Sequence, residues 1–352
     1  MQRKKNTQFN KNVVPLLLNF YEISKNKKME IDLVYLWVDG SDPVWQKKRS
    51  VFLGNVDENS ETNCKGRYAN NDELKYSLRS VEKYAPWIRK IFIVTDNQTP
   101  DWLDTTNPKI KIIDHKEIMP EVSLPCFNSS VIEYFLYKIP DLSEHFLYAN
   151  DDMFFNAAVS PDFFYTKDDL PIVRLQRKPF GKLRYVWKEI RGKTLGNYRQ
   201  RVLDGAVFIE KEFGKFYSGT PHHNIDAYKK TDYRYCVENL FADWVERCLT
   251  HHTRTQGGLQ RSAFLYYALA VKKAHLKYTN RNETHIMNVE KTDYKKQLDY
   301  YNPTLFCLND SQSVTDIDRE RAKRFLENHF SEKSSFEISN FSLNAQQVKI
   351  IN

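Results

Sequence analysis

The sequence is poor in cysteine, and the cysteines that it has are not paired by spacing. Five are spread over 352 residues: Cys64, Cys126, Cys236, Cys248 and Cys307. No two of them form a CxxC pair or a zinc-ligand spacing, which argues against a zinc module. An odd, dispersed set of thiols is typical of a protein that works in a reducing compartment.

Long apolar runs and an ordinary signal peptide are missing too. No apolar segment approaches the roughly 20 residues that span a membrane. Residues 1–28 are instead basic around the short stretch VVPLLLNFY. This segment is predicted to be either a peripheral contact with anionic lipid or a frayed terminus. Residues 29–339 are predicted to form a single domain, and residues 340–352 a polar tail.

The common nucleotide-binding motifs are absent as well. Neither GxGxxG nor GxxxxGK[ST] occurs, so neither a dinucleotide site nor a P-loop is supported. The net charge of +8 suits phosphorylated or polyanionic ligands, an anionic membrane or nucleic acid. Eight Lys and Arg crowd residues 174–193, where they either neutralise phosphates or form a solvated face. Nucleic acid is the weakest of these ligands, because no DNA- or RNA-binding pattern accompanies them.

What the sequence does contain is an alternation of strands and helices. Apolar strands are predicted at 31–38, 90–96, 109–115, 144–152 and 171–178, with helices over 70–86, 128–140, 237–250, 259–274 and 316–330. Asn71 or Asp72 is expected to cap the first helix, and Ser130 with Glu133 the second. Residues 43–68 are expected to be irregular. The alternation predicts an α/β fold with a mostly parallel sheet and helical additions.

Polar residues follow the first four strands. They are Asp39–Asp42, Asp96–Gln98, His115 and Asn150–Asp152. Ligands of parallel sheets bind beyond the carboxyl ends of the strands, so these side chains are expected to gather at one edge. Asp151 and Asp152 suit Mg²⁺ or Mn²⁺, and a turn with Asx caps is the alternative interpretation. The His222–His223 pair offers a general base, or a solvated loop.

Several segments together resemble the conserved regions of the Stealth family. They are IDLVYLWVDGSDP, NDELKYSLRSVEKYAPWIRKIFIVTDNQTPDWL, FNSSVIEYFLYKIPDLSEHFLYANDDMFF, PHHNID and FCLNDSQS with FLENHFSEKSSFE. The resemblance runs from about residue 31 to 337. It implies a glycosyltransferase-A-like core that transfers hexose-1-phosphate from a UDP-sugar to a sugar hydroxyl with a divalent metal, Mg²⁺ or Mn²⁺.

The resemblance also implies roles for individual residues. Donor binding falls to Asp39, Gly40, Ser41, Asp42, Asn71, Glu73, Arg79 and Asn150. Asp151 and Asp152 would serve the metal and the pyrophosphate. His223 corresponds to the catalytic histidine and Arg254 to the phosphate-binding arginine. Asn309 and Asp310 belong to the fourth conserved region.

The sequence therefore predicts a bacterial, cytoplasmic UDP-hexose:polysaccharide hexose-1-phosphate transferase, at the inner face of the membrane. The expected donor is of the UDP-GlcNAc or UDP-ManNAc type, and the expected acceptor is a capsular oligosaccharide. An ordinary UDP-sugar glycosyltransferase is the first alternative. A non-catalytic polyanion-binding protein is the second.

Overall fold

The computed structural model describes residues 29–54, 64–193, 195–254 and 258–339. The predictions for residues 1–28 and 340–352 lie outside the described residues. From Ile31 onward, the described residues belong to one compact unit. Within this part of the chain, no helix is both long and apolar enough to cross a bilayer.

Eleven strands lie in the described part of the chain. They are β1 (Ile31–Leu36), β2 (Ile91–Thr95), β3 (Ile110–Asp114), β4 (His145–Asn150), β5 (Met153–Phe155), β6 (Ile172–Gln176), β7 (Thr220–Pro221), β8 (Asp226–Lys229), β9 (His275–Thr279), β10 (Thr284–Asn288) and β11 (Leu305–Asn309). The central sheet has the order β3-β2-β1-β4-β8. Its first four strands are parallel, and β8 is antiparallel to β4. The predicted α/β class with a mostly parallel sheet is confirmed.

Helices surround this sheet. They are α1 (Pro43–Leu53), α2 (Glu73–Tyr84), α3 (His115–Ile118), α4 (Ser129–Glu133), α5 (Leu183–Ile190), α6 (Asn197–Phe213), α7 (Lys230–Tyr235), α8 (Ala242–Cys248), α9 (Ser262–Ala270), α10 (Tyr294–Tyr301) and α11 (Asp316–His329). Side chains of α6, α8 and α9 pack with the central sheet into the main core. A second core joins α10 and α11 to β5, β10 and β11.

Two smaller sheets extend the central one. In the sheet β10-β11-β5, strand β11 is parallel to β10 and antiparallel to β5. In the sheet β7-β6-β9, strand β6 is antiparallel to β7 and parallel to β9. The pairing of β11 with β5 matters for function, because β5 begins directly after the Asn150–Asp152 segment.

The segment after β1 is a helix rather than the predicted irregular stretch. The Asp42 carboxylate accepts hydrogen bonds from the backbone N–H groups of Val44 and Trp45, and Pro43 occupies the first turn. An acidic cap followed by proline is a strong helix start. The prediction was wrong because the middle of α1, residues 46–50, is entirely polar, and Trp45 is the only described residue of this helix that is buried.

Two predicted caps were also wrong. Asp72 makes no side-chain hydrogen bond at the start of α2, and the Asn71 amide donates to Glu73 instead. Asn128, not Ser130, caps α4, by accepting from the Ser130 N–H. That helix ends at Glu133, and the helix predicted over 237–250 is broken at Phe241 between a π turn (Cys236–Leu240) and α8.

Candidate functional site

A cleft, hereafter the central cleft, lies at the carboxyl edge of the central sheet. The strand register places Leu36 beside both Val94 and Asn150, so the residues after β1, β2 and β4 emerge together. The polar residues that line the central cleft are Arg67, Tyr68, Glu73, Asp96, His115, Ser129, Asn150, Asp151, Asp152, His223, Arg254, Asn309 and Asp310. Side chains from distant parts of the chain therefore meet where a parallel sheet binds its ligand.

Three carboxyl groups are crowded in the central cleft. Burial raises the pKa of Asp152 to about 7 and that of Asp151 well above its usual range, and Glu73 adds to both shifts. Burial also raises the pKa of Glu73. The Oδ1 atom of Asp152 is buried without a hydrogen-bond partner among the described residues. Mutually repelling carboxylates with an unpaired oxygen are stabilised by a cation, so this group fits a divalent metal.

Strand β11 brings Cys307 against these carboxylates. One possible ligand atom from each of Asp152, His223 and Cys307 lies within 4.8 Å of the others. Burial and Asp152 raise the pKa of the Cys307 thiol well above its usual range. The thiol therefore stays protonated, and it donates to Asp152 Oδ2 at 3.4 Å. Because only the thiolate is a good ligand, the carboxylate oxygens that Mg²⁺ and Mn²⁺ prefer are the fitting donors.

Arg254 supplies positive charge to the same cleft. Its Nη2 donates to Ser129 Oγ at 2.8 Å, whereas its Nε is buried without a hydrogen-bond partner in the described chain. The side-chain amide of Asn128 holds the segment before Arg254, donating to the carbonyls of His251 at 2.9 Å and Thr253 at 3.0 Å. A positioned guanidinium with an unused donor suits a phosphate oxygen.

His223 reaches the central cleft from a left-handed backbone conformation, with φ of 52°. Its neighbour His222 is buried and lies 3.1 Å from Asp226, which also pairs with Arg261 at 3.3 Å. Burial and the Arg261 charge lower the pKa of His223 to about 4, so its imidazole is neutral. Unusual backbone conformations often mark functional positions, and a neutral imidazole at a cleft is able to accept a proton.

The predicted donor residues Asp39–Asp42 lie beside the central cleft. Asp39 Oδ1 accepts from the Ser41 N–H at 2.8 Å, and Gln98 Nε2 donates to Asp42 Oδ2 at 2.9 Å. None of the four lines the central cleft, while Gly40 and Ser41 line the depression next to it. The carboxylates of Asp39 and Asp42 both form hydrogen bonds within the protein. This turn therefore affects the cleft indirectly, through the cleft residues that pack against it.

Gly40 of this turn packs against Tyr68, which forms one wall of the cleft together with Trp45 and Phe127. A Cβ on Gly40 would lie 2.3 Å from the Tyr68 carbonyl oxygen, so only glycine permits this approach. Tyr68 lies 5.2 Å from Trp45, and Trp45 lies 5.5 Å from Phe127, between ring centroids. All three aromatic residues line the central cleft. An aromatic wall of this kind suits a nucleobase or a sugar ring.

Two further predicted donor residues are outside the central cleft. Asn71 donates from its backbone and side-chain nitrogens to the Glu73 carboxylate, both at 2.7 Å, and so orients a cleft residue. Arg79 is buried and makes two hydrogen bonds of 2.7 Å to Glu337 and a third to the Phe330 carbonyl. Its charge is therefore engaged in a structural ion pair, away from the place that the resemblance implies.

Asn309 and Asp310 do line the central cleft, at the end of β11. The Asp310 carboxylate accepts from Arg319 at 2.7 and 3.2 Å, which ties α11 to the cleft. A Cβ on Gly66 would lie 2.5 Å from Asp310 Oδ1, so the glycine lets the neighbouring Arg67 segment approach. The charge of Asp310 is therefore neutralised by Arg319, and this carboxylate has a structural role in the wall of the cleft.

Sequence reasoning missed several residues of this site. Cys307 carried no ligand spacing, and Arg67 lay in a stretch expected to be irregular. Arg261 lies in a predicted helix, yet it forms the charge partner of Asp226 behind His223. Each reaches the site through strand pairing or helix packing between distant segments, and local periodicity gives no signal for such contacts.

Comparisons with known proteins agree with the resemblance. Residues 29–57 match the family model "Stealth protein CR1, conserved region 1", and residues 67–173 match "Stealth protein CR2, conserved region 2". A capsular polysaccharide phosphotransferase of Neisseria meningitidis serogroup B is 33% identical, over 84% of this chain and 80% of the relative. The exopolysaccharide phosphotransferase SCO2594 of Streptomyces coelicolor is 33% identical over 87% of this chain.

Other matches are shorter or weaker. The exopolysaccharide phosphotransferase cps2G of Lactiplantibacillus plantarum is 49% identical over 142 residues. The matches span 41% of that relative and 51% of the Streptomyces one, so about half of each is covered. A crystal structure of the galactosyltransferase LgtC with donor and acceptor sugar analogues aligns with a TM-score of 0.43 and 12% identity, over 88% of this chain and 98% of that one. A similarity this low carries no argument about function.

Proposed function

This chain belongs to the Stealth family, and we propose that it transfers hexose-1-phosphate from a UDP-hexose to a hydroxyl of a growing capsular polysaccharide. One observation carries the proposal. A single cleft combines carboxylates fit for a divalent cation, an arginine with an unused donor and a neutral histidine. Phosphoryl transfer needs this combination, because its catalysis is mostly positioning and charge stabilisation.

Asp151 and Asp152 would hold Mg²⁺ or Mn²⁺ at the donor pyrophosphate. Such an ion, when bound, neutralises charge on phosphoryl oxygens. Arg254 would bind the same phosphates through its unused Nε–H. Asn150, at the end of β4, precedes the two aspartates in the chain and lines the same cleft. The wall of Trp45, Tyr68 and Phe127 would take the uracil or the sugar. The donor is expected to be of the UDP-GlcNAc or UDP-ManNAc type.

His223 would act as the general base. The acceptor oxygen attacks the sugar-bearing phosphorus, its proton passes to the imidazole, and the bond from that phosphorus to the bridging oxygen breaks. UMP leaves with the electron pair, and the product contains a phosphodiester. The pKa of about 4 reflects the free site, where Arg261 and burial disfavour the charged ring. Pyrophosphate charges nearby would raise this pKa toward the useful range.

The released nucleotide distinguishes the proposal from its main alternative. Incubation with a panel of UDP-sugars, Mg²⁺ and capsular oligosaccharides should release UMP from one donor class, as chromatography would show. An ordinary glycosyltransferase, in which the anomeric carbon is attacked, would release UDP. A polyanion-binding protein would retain the oligosaccharide and release neither nucleotide. Release of UDP would overturn the proposed reaction even with every cleft residue essential.

The proposed place of action is the bacterial cytoplasm, at the inner face of the membrane. UDP-sugars and growing capsular chains are both expected there. The basic segment of residues 1–28 is proposed to contribute membrane contact, and it lies outside the described residues.

A further inference from the structure

A second cleft, hereafter the cationic cleft, opens beside the central one. Its charged lining consists of Arg67, Lys178, Arg184, Lys188 and Arg199, and no aspartate or glutamate among the described side chains lines it. It shares Arg67, His223 and Asn309 with the central cleft. A ligand that fills the cationic cleft therefore extends to the imidazole that we assign as the base.

Four cations of this cleft, Lys178, Arg184, Lys188 and Arg199, have no acidic partner among the described residues. Lys178 donates to the neutral Gln176 at 3.1 Å, and Arg184 donates to the Ser218 carbonyl at 3.1 Å. Neither they nor Lys188 and Arg199 form an ion pair with a carboxylate in the described parts of the chain. Burial, Arg184 and Arg199 lower the pKa of Lys178, as expected of positive charges that repel one another.

Nearby lysines outside the cleft behave differently. Lys182 pairs with Glu210 at 2.6 Å, and Lys277 pairs with Glu283 at 2.6 Å. The surface around the cationic cleft therefore contains carboxylates that pair with lysines, but neither Glu210 nor Glu283 lines the cleft. Uncompensated cations in a concave site favour an anionic ligand, and the rings of Tyr185 and Tyr198 in the lining suit sugars.

We propose that the cationic cleft binds the acceptor chain through phosphodiesters made in earlier rounds of transfer. This inference rests on the proposed function, because each transferred hexose-1-phosphate leaves one phosphodiester with one negative charge. When the end hydroxyl of the growing chain is near His223, the phosphodiesters further along the chain would lie in the cationic cleft, outside the central cleft. The enzyme would thus recognise its own product as the acceptor and prefer it to a neutral chain.

The test is direct binding without donor. The probes are a fluorescent N-acetylhexosamine oligosaccharide joined by phosphodiesters and a glycosidically linked neutral oligosaccharide of the same length. The protein is expected to bind the charged probe about tenfold or more tightly, with affinity that falls as salt is added. Lys188→Glu with Arg199→Glu should remove this preference. Lys211→Glu, an exposed position on α6 outside the cleft, is the control and should keep it.

Three results would overturn the inference: no binding of the charged probe, equal affinity for both probes, or an unchanged preference in the double variant. The nucleotide that the unchanged protein releases from the donor is identified in parallel. Release of UDP would refute the proposed reaction, whereas loss of the charge preference alone would refute only the acceptor site. The two failures are therefore distinguishable.

The outer face of α5 supports a second, independent inference. Leu183, Trp187 and Ile190 follow a spacing of four and three residues, so they share one face of the helix, and they are 62%, 60% and 78% exposed. Phe180, just before the helix, is 79% exposed. Arg184, Tyr185 and Lys188 occupy the opposite face, which lines the cationic cleft. Large apolar side chains clustered on a surface mark an interaction site.

We infer that this face of α5 lies in the surface of an anionic bilayer. The exposed Arg191 and Lys193 follow the apolar residues directly, and the adjacent cationic cleft adds positive charge. An amphipathic helix with Trp and Leu on one side and basic residues around them is typical of membrane-surface contact. The bilayer would then lie next to the cleft that we assign to the acceptor.

Vesicle flotation of the full chain tests this inference. The protein should float with vesicles of three parts phosphatidylcholine to one part phosphatidylglycerol, and less with phosphatidylcholine alone. Trp187→Glu with Ile190→Glu should strongly reduce flotation without lowering the Tm, since both positions are exposed; residues 1–28 would account for what remains. Ile317→Glu is the matched control, because Ile317 on α11 is also 78% exposed. Undiminished flotation of the double variant, or an equal loss with Ile317→Glu, would overturn the inference. A double variant that changes oligomeric state while its vesicle binding stays the same would overturn it too.

Discussion

Asp152→Asn is expected to reduce hexose-1-phosphate transfer about a thousand-fold or more while the protein stays folded. The amide keeps the shape of the side chain but removes the charge that would hold the divalent cation. Charge neutralisation by such an ion contributes several kcal/mol in phosphoryl transfer, and about 4 kcal/mol corresponds to a factor of about a thousand. Asp151→Asn should have a similar effect. The rate of UMP release in Mg²⁺ measures both.

Thermal unfolding separates loss of the ion from loss of the fold. Because burial and Glu73 raise the pKa of Asp152, its charge is unfavourable in the metal-free protein. The Tm of Asp152→Asn without metal should therefore equal or exceed that of the unchanged protein. Added Mg²⁺ should raise the Tm of the unchanged protein but not that of Asp152→Asn. Asp243→Asn, at an exposed position on α8, controls for the loss of a carboxylate. Full activity in excess EDTA would refute the metal assignment.

His223→Ala is expected to lower kcat by about 100- to 10,000-fold, the usual loss on removing a general base. Donor binding should change little, since Asp151, Asp152 and Arg254 would hold the pyrophosphate. Steady-state kinetics with varied donor would then show a large fall in kcat and a nearly constant KM. The substitution should leave the fold intact, because His223 makes no hydrogen bond within the described chain that the fold depends on.

His222→Ala provides the contrast. This histidine is buried against Asp226, so its removal should lower the Tm by leaving a buried carboxylate with one partner fewer. The kcat of His222→Ala, corrected for the folded fraction, should fall much less than the kcat of His223→Ala, both relative to the unchanged protein. An inactive but folded His222→Ala beside a nearly normal His223→Ala would show that the base is the first histidine of the pair.

The hydrophobic pattern of the sequence predicted the central strands of this fold, because buried strands need apolar side chains. β1 is apolar except for Asp32 and β2 except for Thr95, and every residue of β2 is buried. Once the parallel order was assumed, the rule for carboxyl ends placed Asp96, His115 and Asn150–Asp152 at one edge, and all of them line the central cleft. These placements needed only the order of the elements, not the contacts between distant segments.

The later strands did not follow from pattern. β9 is mostly exposed and β5 has three residues, so neither has a distinct periodicity. The pairing of β5 with β11 is nevertheless what brings Cys307, Asn309 and Asp310 to the carboxylates. Contacts of this kind join residues more than 150 positions apart, and single-sequence reasoning has no means to find them.

Arg79 illustrates the limit of transferring a role by motif. The resemblance placed it in the donor pocket, whereas its guanidinium binds Glu337 near the end of the described chain. A buried arginine needs a partner, and a distant glutamate supplies it. His223 differs from Arg79 in that it lines both clefts, and its role as the base stays a prediction.

The fate of the sugar-bearing phosphorus tests the central proposal most directly. A UDP-hexose carrying radioactive phosphorus only at that position would be incubated with the protein, Mg²⁺ and a capsular oligosaccharide, and polymer and nucleotides would then be separated. Phosphotransfer predicts that the label enters the polymer, at about one phosphorus per transferred sugar, and that the released UMP is unlabelled. Label that remains entirely in UDP, beside a lengthened but unlabelled polymer, would contradict the account.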